Sequence, residues 1–163
     1  MNLLTGESAD AFFGGDVPPA VRELLHRAAA CMSDERTAVL WTAQALAPAC
    51  LAVYYTLYKH HAGRREFALA ERAAWRGLRE AATQAGLDLD WQGVVAPLPA
   101  VVCGSQAGRF WLFTLKALAF IHLRTARPEA ARSLILKLDA CDPDARIGSD
   151  VIASLLDATR PRS

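Results

Sequence analysis

The chain has 163 residues with 18 basic and 17 acidic side chains, a net charge of +1. That length predicts one domain able to bury roughly two thirds of its unfolded surface, and arginines scattered among acidic residues exclude the basic excess of a nucleic-acid binder. Cys31, Cys50, Cys103 and Cys141 lie far apart with no C-x-x-C, which indicates neither a zinc site nor a disulfide framework but reduced, mostly buried thiols.

The N-terminus reads MNLLTGESADAFF, without the basic region and apolar block of an export signal, so a cytoplasmic protein is expected. A first helix opens at Pro18-Pro19, with Val21, Leu24, Leu25 and Ala28 on its apolar face, and ends near Cys31. Ser33 or Asp34 caps a second, whose apolar positions Val39, Leu40, Ala43 and Leu46 run to Pro48. The chain is uncharged from Thr37 to Tyr58, a length that could cross a bilayer. Pro48 interrupts it, however, and predicts two buried helices rather than a membrane span. The third helix carries Leu51, Tyr54, Tyr55, Leu57 and Tyr58 and breaks at Ala62-Gly63. A fourth carries Phe67, Ala70, Ala74, Trp75 and Leu78 and stops at Gly86.

Further along, LFTLKALAFIHLRTARPEAARSLILKLDACDP spans Leu112 to Pro143. Leu115, Leu118 and Ala119 recur at helical spacing, Pro128 opens a second amphipathic run through Ala131, Ile135 and Leu138, and Asp142-Pro143 stops it. Small Ala119 and Ala131 permit close approach of two helices. This order resembles a tetratricopeptide repeat, in which two antiparallel helices pack over about 34 residues and end at a proline. Two further units match upstream. Residues 17–50 match chiefly in their second helix. In residues 51–84, Tyr54, Leu57, Tyr58, His61, Phe67, Ala70, Ala74 and Gly77 take the slots of Leu115, Leu118, Ala119, His122, Pro128, Ala131, Ile135 and Leu138.

The resemblance implies an all-α fold of about seven helices, antiparallel hairpins stacked as a short right-handed superhelix over the single domain 1–163. It further implies a concave groove lined by first helices. The matching groove positions include Ala52, Tyr55, Lys59 and Ala62 in the second unit, and Phe113, Lys116, Phe120, Leu123 and Arg124 in the third. Aromatic rings beside isolated cations suit a peptide or helix with apolar anchors and an acidic end. The family's carboxylate clamp uses asparagines. The sole Asn here is Asn2, so that clamp is not expected.

Units two and three are separated by an insertion from about Gly86 to Arg109. It is apolar for a loop, with Trp91, Val94, Val95, Leu98, Val101 and Val102, and so must be buried somewhere. Three readings stand: an irregular plug between repeats with a short turn at Asp88 to Gly93, a strap lying in the partner groove in cis, or an exposed patch for a homodimer.

Catalytic and metal signals are weak. His60 and His61 point about 100° apart on a helix and cannot share a metal as an i, i+4 pair does, so they read as packing residues. Asp88 and Asp90, with Glu80 upstream, form an acidic pair without the spacing of a calcium loop. No phosphate-cradling glycine loop, G-x-S-x-G or H-E-x-x-H occurs. Ser149-Asp150 caps a final helix over about 149–158 that covers the last hairpin, and the tail from Arg160 is expected to be disordered.

The expected function is a non-catalytic protein-interaction module, adaptor or chaperone-like accessory factor, without cofactor or metal, whose partner is another protein or peptide. The alternative is a helical protein holding a small hydrophobic ligand or cofactor between the insertion and its aromatic helices.

Overall fold

The computed structural model describes residues 17–144, 147–148 and 150–159. The N-terminal MNLLTGESADAFF stretch, the Ser149 cap and the 160–163 tail lie outside the described residues. Those residues form eight α-helices and no strand: α1 (Pro19–Ala30), α2 (Ser33–Leu46), α3 (Leu51–Gly63), α4 (Phe67–Ala85), α5 (Ala100–Cys103), α6 (Gln106–Arg124), α7 (Pro128–Cys141) and α8 (Asp150–Ala158). A 3-10 turn at Trp91–Gly93 precedes α5. The expected seven helices become eight because α5, a single turn opened by Pro99, forms inside the insertion. The chain divides into two compact units, Met1–Glu80 and Ala81–Ser163.

In the first unit α1 opens on Pro19, where a missing N–H is harmless because the first helical amides have no intrahelical partner. It buries Val21 and Ala28, while Leu24 and Leu25 are half-buried. Ahead of Pro48 the backbone leaves the helical region at Ala47, φ −136°, as the steric demand of the proline ring requires. The Tyr54 hydroxyl then donates to the Pro48 carbonyl at 2.6 Å and holds the α2–α3 connection. α1 packs on α2 and α2 on α3. Nine of the 13 residues of α3 are buried, on every side of the helix, so it is the central element of this unit.

The second unit is built around α6. Its Ser105 cap accepts from the Gly108 amide at 3.0 Å, and 13 of its 19 residues are buried, Phe110, Trp111, Leu112 and Leu115 almost completely. Each such side chain contributes about 1.5–3 kcal/mol of burial. α5, α7 and α8 pack against α6, and α8 also against α7.

Two hairpin turns share one geometry. After α3, the amide of Arg65 bonds the Ala62 carbonyl and that of Glu66 bonds the His61 carbonyl, with Arg65 in the left-handed region at φ 61°. After α6, Ala126 bonds Leu123, Arg127 bonds His122, and Ala126 has φ 58°. Both are Schellman closures, which satisfy the last carbonyls of a helix. Every residue of the second turn stands 61 positions after its counterpart, the offset expected between the second and third units. The helix after α3 therefore begins at Phe67 and the one after α6 at Pro128. In α3 the break falls past Gly63, which is helical and exposed, and the left-handed position belongs to Arg65 instead.

The insertion is neither wholly buried nor wholly irregular. Asp88 Oδ1 accepts from the Asp90 amide and Asp90 Oδ1 from the Gln92 amide, so these two carboxylates shape the 3-10 turn rather than act as an acid pair. Lys137 on α7 donates to the carbonyls of Gln92 (2.9 Å) and Val94 (2.7 Å), and the Leu98 amide bonds the Cys141 carbonyl at the end of α7. Val94 and Leu98 are buried by this docking, and Trp91 and Val102 are half-buried. Val95 and Val101, expected to be buried, are 83% and 80% exposed, whereas Val94, Leu98 and Cys103 beside them are the buried contacts of the segment.

Candidate binding site

Two helices of the first unit set four side chains against one another. Thr37 and Trp41 lie one turn apart on α2, and His60 and His61 are adjacent on α3. Thr37 Oγ1 is 2.8 Å from His60 Nε2, and the Trp41 indole N–H donates to His61 Nε2 at 3.1 Å. Both histidines therefore face α2, although the helical angle between them predicts divergence. Their rings pass with centroids 5.0 Å apart. The half-turn at Arg65 brings Glu66 back onto the same spot, where its Oε1 lies 3.3 Å from His61 Nδ1 and 2.6 Å from Arg64 Nε. Arg64 also reaches Asp34 Oδ1 at 3.1 Å.

Hydrogen-bond chemistry fixes the protons. An indole N–H can only donate, so His61 Nε2 offers its lone pair and Nδ1 carries the hydrogen that Glu66 accepts. The Glu66 carboxyl is held below its ordinary range chiefly by that hydrogen bond from His61, with burial opposing and Arg64 assisting. His60 is held below the ordinary imidazole value by burial first, then by His61, Arg36 and Arg64, with Glu66 pulling the other way.

His60, His61 and Glu66 each place a ligand-type atom within 4.8 Å of the others. The arrangement nevertheless suits a hydrogen-bond relay better than a cation. His61 Nδ1 is protonated by the network just described, and the Arg64 guanidinium stands on the same Glu66 oxygen a metal would need.

Beside the relay opens a cleft of about 530 Å³ between α1, α2 and α3. Leu25, Ala28 and Ala29 form an apolar wall, Ser33, Thr56 and Gly63 line the floor and rim, and the ionisable lining is Arg36, Lys59, His60 and Arg64. Among the described residues no acidic side chain lines it. Arg36 is pinned by carbonyls, with Nε on Ala28 at 2.8 Å and Nη2 on Cys31 at 3.2 Å, which closes the end of α1 while leaving the positive charge without a carboxylate among the described residues. The Lys59 ammonium rides 5.5 Å from the Tyr55 ring centroid.

Of the groove residues expected from the sequence, Lys59 lies on this cleft and Tyr55 lies in the core beneath it, 1% exposed. In the second unit Phe113 is buried, Phe120 is half-buried and Arg124 is exposed at the end of α6. Lys116 extends over the Phe113 ring and donates to the Ile147 carbonyl at 3.4 Å. Arg36, Trp41, Arg64 and Glu66 were not singled out from the sequence. The available signal was Thr37 and Trp41 at i, i+4 facing the paired histidines.

No protein-family model matches the chain, and no solved structure matches it. It is similar to an uncharacterized 19.8 kDa protein in the nifW 5′ region of Azotobacter chroococcum mcd 1. The two are 28% identical over 158 residues, which cover 96% of this chain and 89% of the relative. Among the described residues no helix is long and apolar enough to cross a membrane.

Proposed function

We propose that the protein is a non-catalytic polypeptide-binding module, related in design to tetratricopeptide hairpins, acting as an adaptor or chaperone-like accessory factor. The observation that carries this reading is the open cleft on the faces of α1, α2 and α3, whose apolar wall and cationic rim match the two kinds of group a peptide presents. The repeated turn at Arg65 and Ala126 supports it, since helical hairpins that recur at a fixed offset are the building units of binding scaffolds.

Selection of peptides from a random display library against the purified full chain tests the reading. The expected result is enrichment of related sequences that bind with micromolar affinity and are lost when Lys59 is changed to Glu. Failure to enrich any peptide, together with a small molecule co-purifying in native mass spectrometry, contradicts it.

A further inference from the structure

The cleft on the first unit is selective in charge as well as shape. Its rim carries Arg36, Lys59 and Arg64 with no acidic lining residue among the described ones. The carboxylates near it are already committed, since Glu66 and Asp34 both engage Arg64. Arg36 gives Nε and Nη2 to the carbonyls of Ala28, Ala29 and Cys31, which hold the guanidinium in place without neutralising it and leave the two N–H groups of Nη1 for a ligand. Lys59 has an aromatic face beneath it and no carboxylate partner among the described residues. Two cations, Arg36 held by carbonyls and Lys59 over an aromatic ring, thus border a wall of Leu25 and Ala28 with no carboxylate partner among the described residues.

From this we infer that the cleft binds an acidic segment of a partner polypeptide, with apolar side chains against the α1 wall and Asp or Glu carboxylates on Arg36 and Lys59. The inference rests on the polypeptide-binding reading and narrows it to one ligand chemistry. A site of about 530 Å³ is far larger than a single inorganic anion needs, and its apolar wall would go unused by one. Charge-assisted hydrogen bonds to pinned donors are stronger than neutral ones and discriminate against uncharged isosteres.

The test is fluorescence anisotropy on the full chain with a capped, labelled peptide of alternating Leu and Glu and its Leu–Gln counterpart. The Glu peptide is expected to bind roughly tenfold more tightly than the Gln peptide, the size of one lost charge-assisted contact. Lys59→Glu should weaken the Glu peptide by about tenfold or more and bring the two peptides together. Lys59→Gln should fall between, and Arg72→Glu, exposed on α4 and outside the cleft, should leave binding unchanged. Unchanged melting of each variant separates loss of site from loss of fold. Equal affinity for the two peptides, or indifference to Lys59→Glu, overturns the inference, as does displacement of the peptide by micromolar inorganic phosphate. If library-selected peptides bind but are not acidic and ignore Lys59→Glu, the acidic site falls while the module reading stands. If no peptide binds at all, the module reading falls with it.

Discussion

The indole N–H of Trp41 and the imidazole Nε2 of His61, 3.1 Å apart, tie α2 to α3 through a wholly buried histidine. Because the other imidazole nitrogen is engaged by Glu66, removing the indole donor leaves a buried acceptor with nothing in its place. Trp41→Phe is expected to cost about 1–3 kcal/mol from this loss, beyond any change in packing. Urea unfolding measures it, and imidazole nitrogen shifts in the wild type should report the Nδ1–H tautomer at His61.

Arg65 and Ala126 occupy the same left-handed position in turns 61 residues apart. A side chain in that conformation costs about 1–2 kcal/mol, of which glycine recovers part after its greater chain entropy is counted. Ala126→Gly should therefore raise stability by up to about 1 kcal/mol. Arg65→Gly should do so similarly. A fall in the thermal midpoint of Ala126→Gly would show that the turn is not closed in this way.

At the start of α6 the backbone of Gly108 passes so close to the Val102 carbonyl that an added Cβ would lie 1.8 Å from its oxygen. No side-chain rotation relieves contact with backbone. Gly108→Ala should destabilise the protein by about 1–3 kcal/mol or more, read as a lower denaturant midpoint. Full stability in that variant would mean that α5 and α6 can separate freely.

Lys137 makes two of the hydrogen bonds between α7 and the insertion. Lys137→Met keeps the stem and removes both hydrogen bonds. The expected result is faster amide hydrogen exchange in residues 92–98, with a stability loss of about 1–2 kcal/mol. Exchange unchanged in that segment would mean that burial of Val94 and Leu98 and the Leu98–Cys141 hydrogen bond hold it without Lys137.

Acid stability follows from His60 and Glu66. Because His60 in the folded state is held below its ordinary value, the unfolded chain binds more protons just below pH ~6.5. Stability therefore rises with pH through that window and is lost on acidification. Glu66, also held low, contributes stability that is present above pH ~4.3 and lost as pH falls toward its folded value. Urea midpoints should thus decline in two stages, the first absent in His60→Gln. A midpoint that climbs between pH 7 and 5 would contradict the assignment.

The helical architecture was legible because its signals are local. Pro19, Pro48, Pro128 and Pro143 punctuate the helices where the ring's missing N–H and bulk demand, and the buried faces of α3 and α6 follow from apolar residues at helical spacing. The 61-residue offset was legible too, and reappears in the paired turns. What the sequence concealed depends on contacts between elements. Val95 and Val101 look like Val94 until the contacts of the insertion with α6 and α7 separate its buried side from its exposed one. His60 and His61 look divergent on a helical wheel, yet Thr37 and Trp41 offer a partner to each. The basic cleft was half visible: Lys59 came from repeat position, whereas Arg36 and Arg64 join it only when α2 and the α3 turn are brought together.

The most direct measurement of the central claim is a map of amide chemical-shift changes as the Leu–Glu peptide is titrated into the isotope-labelled full chain. Saturable changes are expected at Ser33, Arg36, Thr56, Lys59, His60 and Arg64, the residues around the cleft. Changes centred on α6 and α7, or none at saturating peptide, would contradict it.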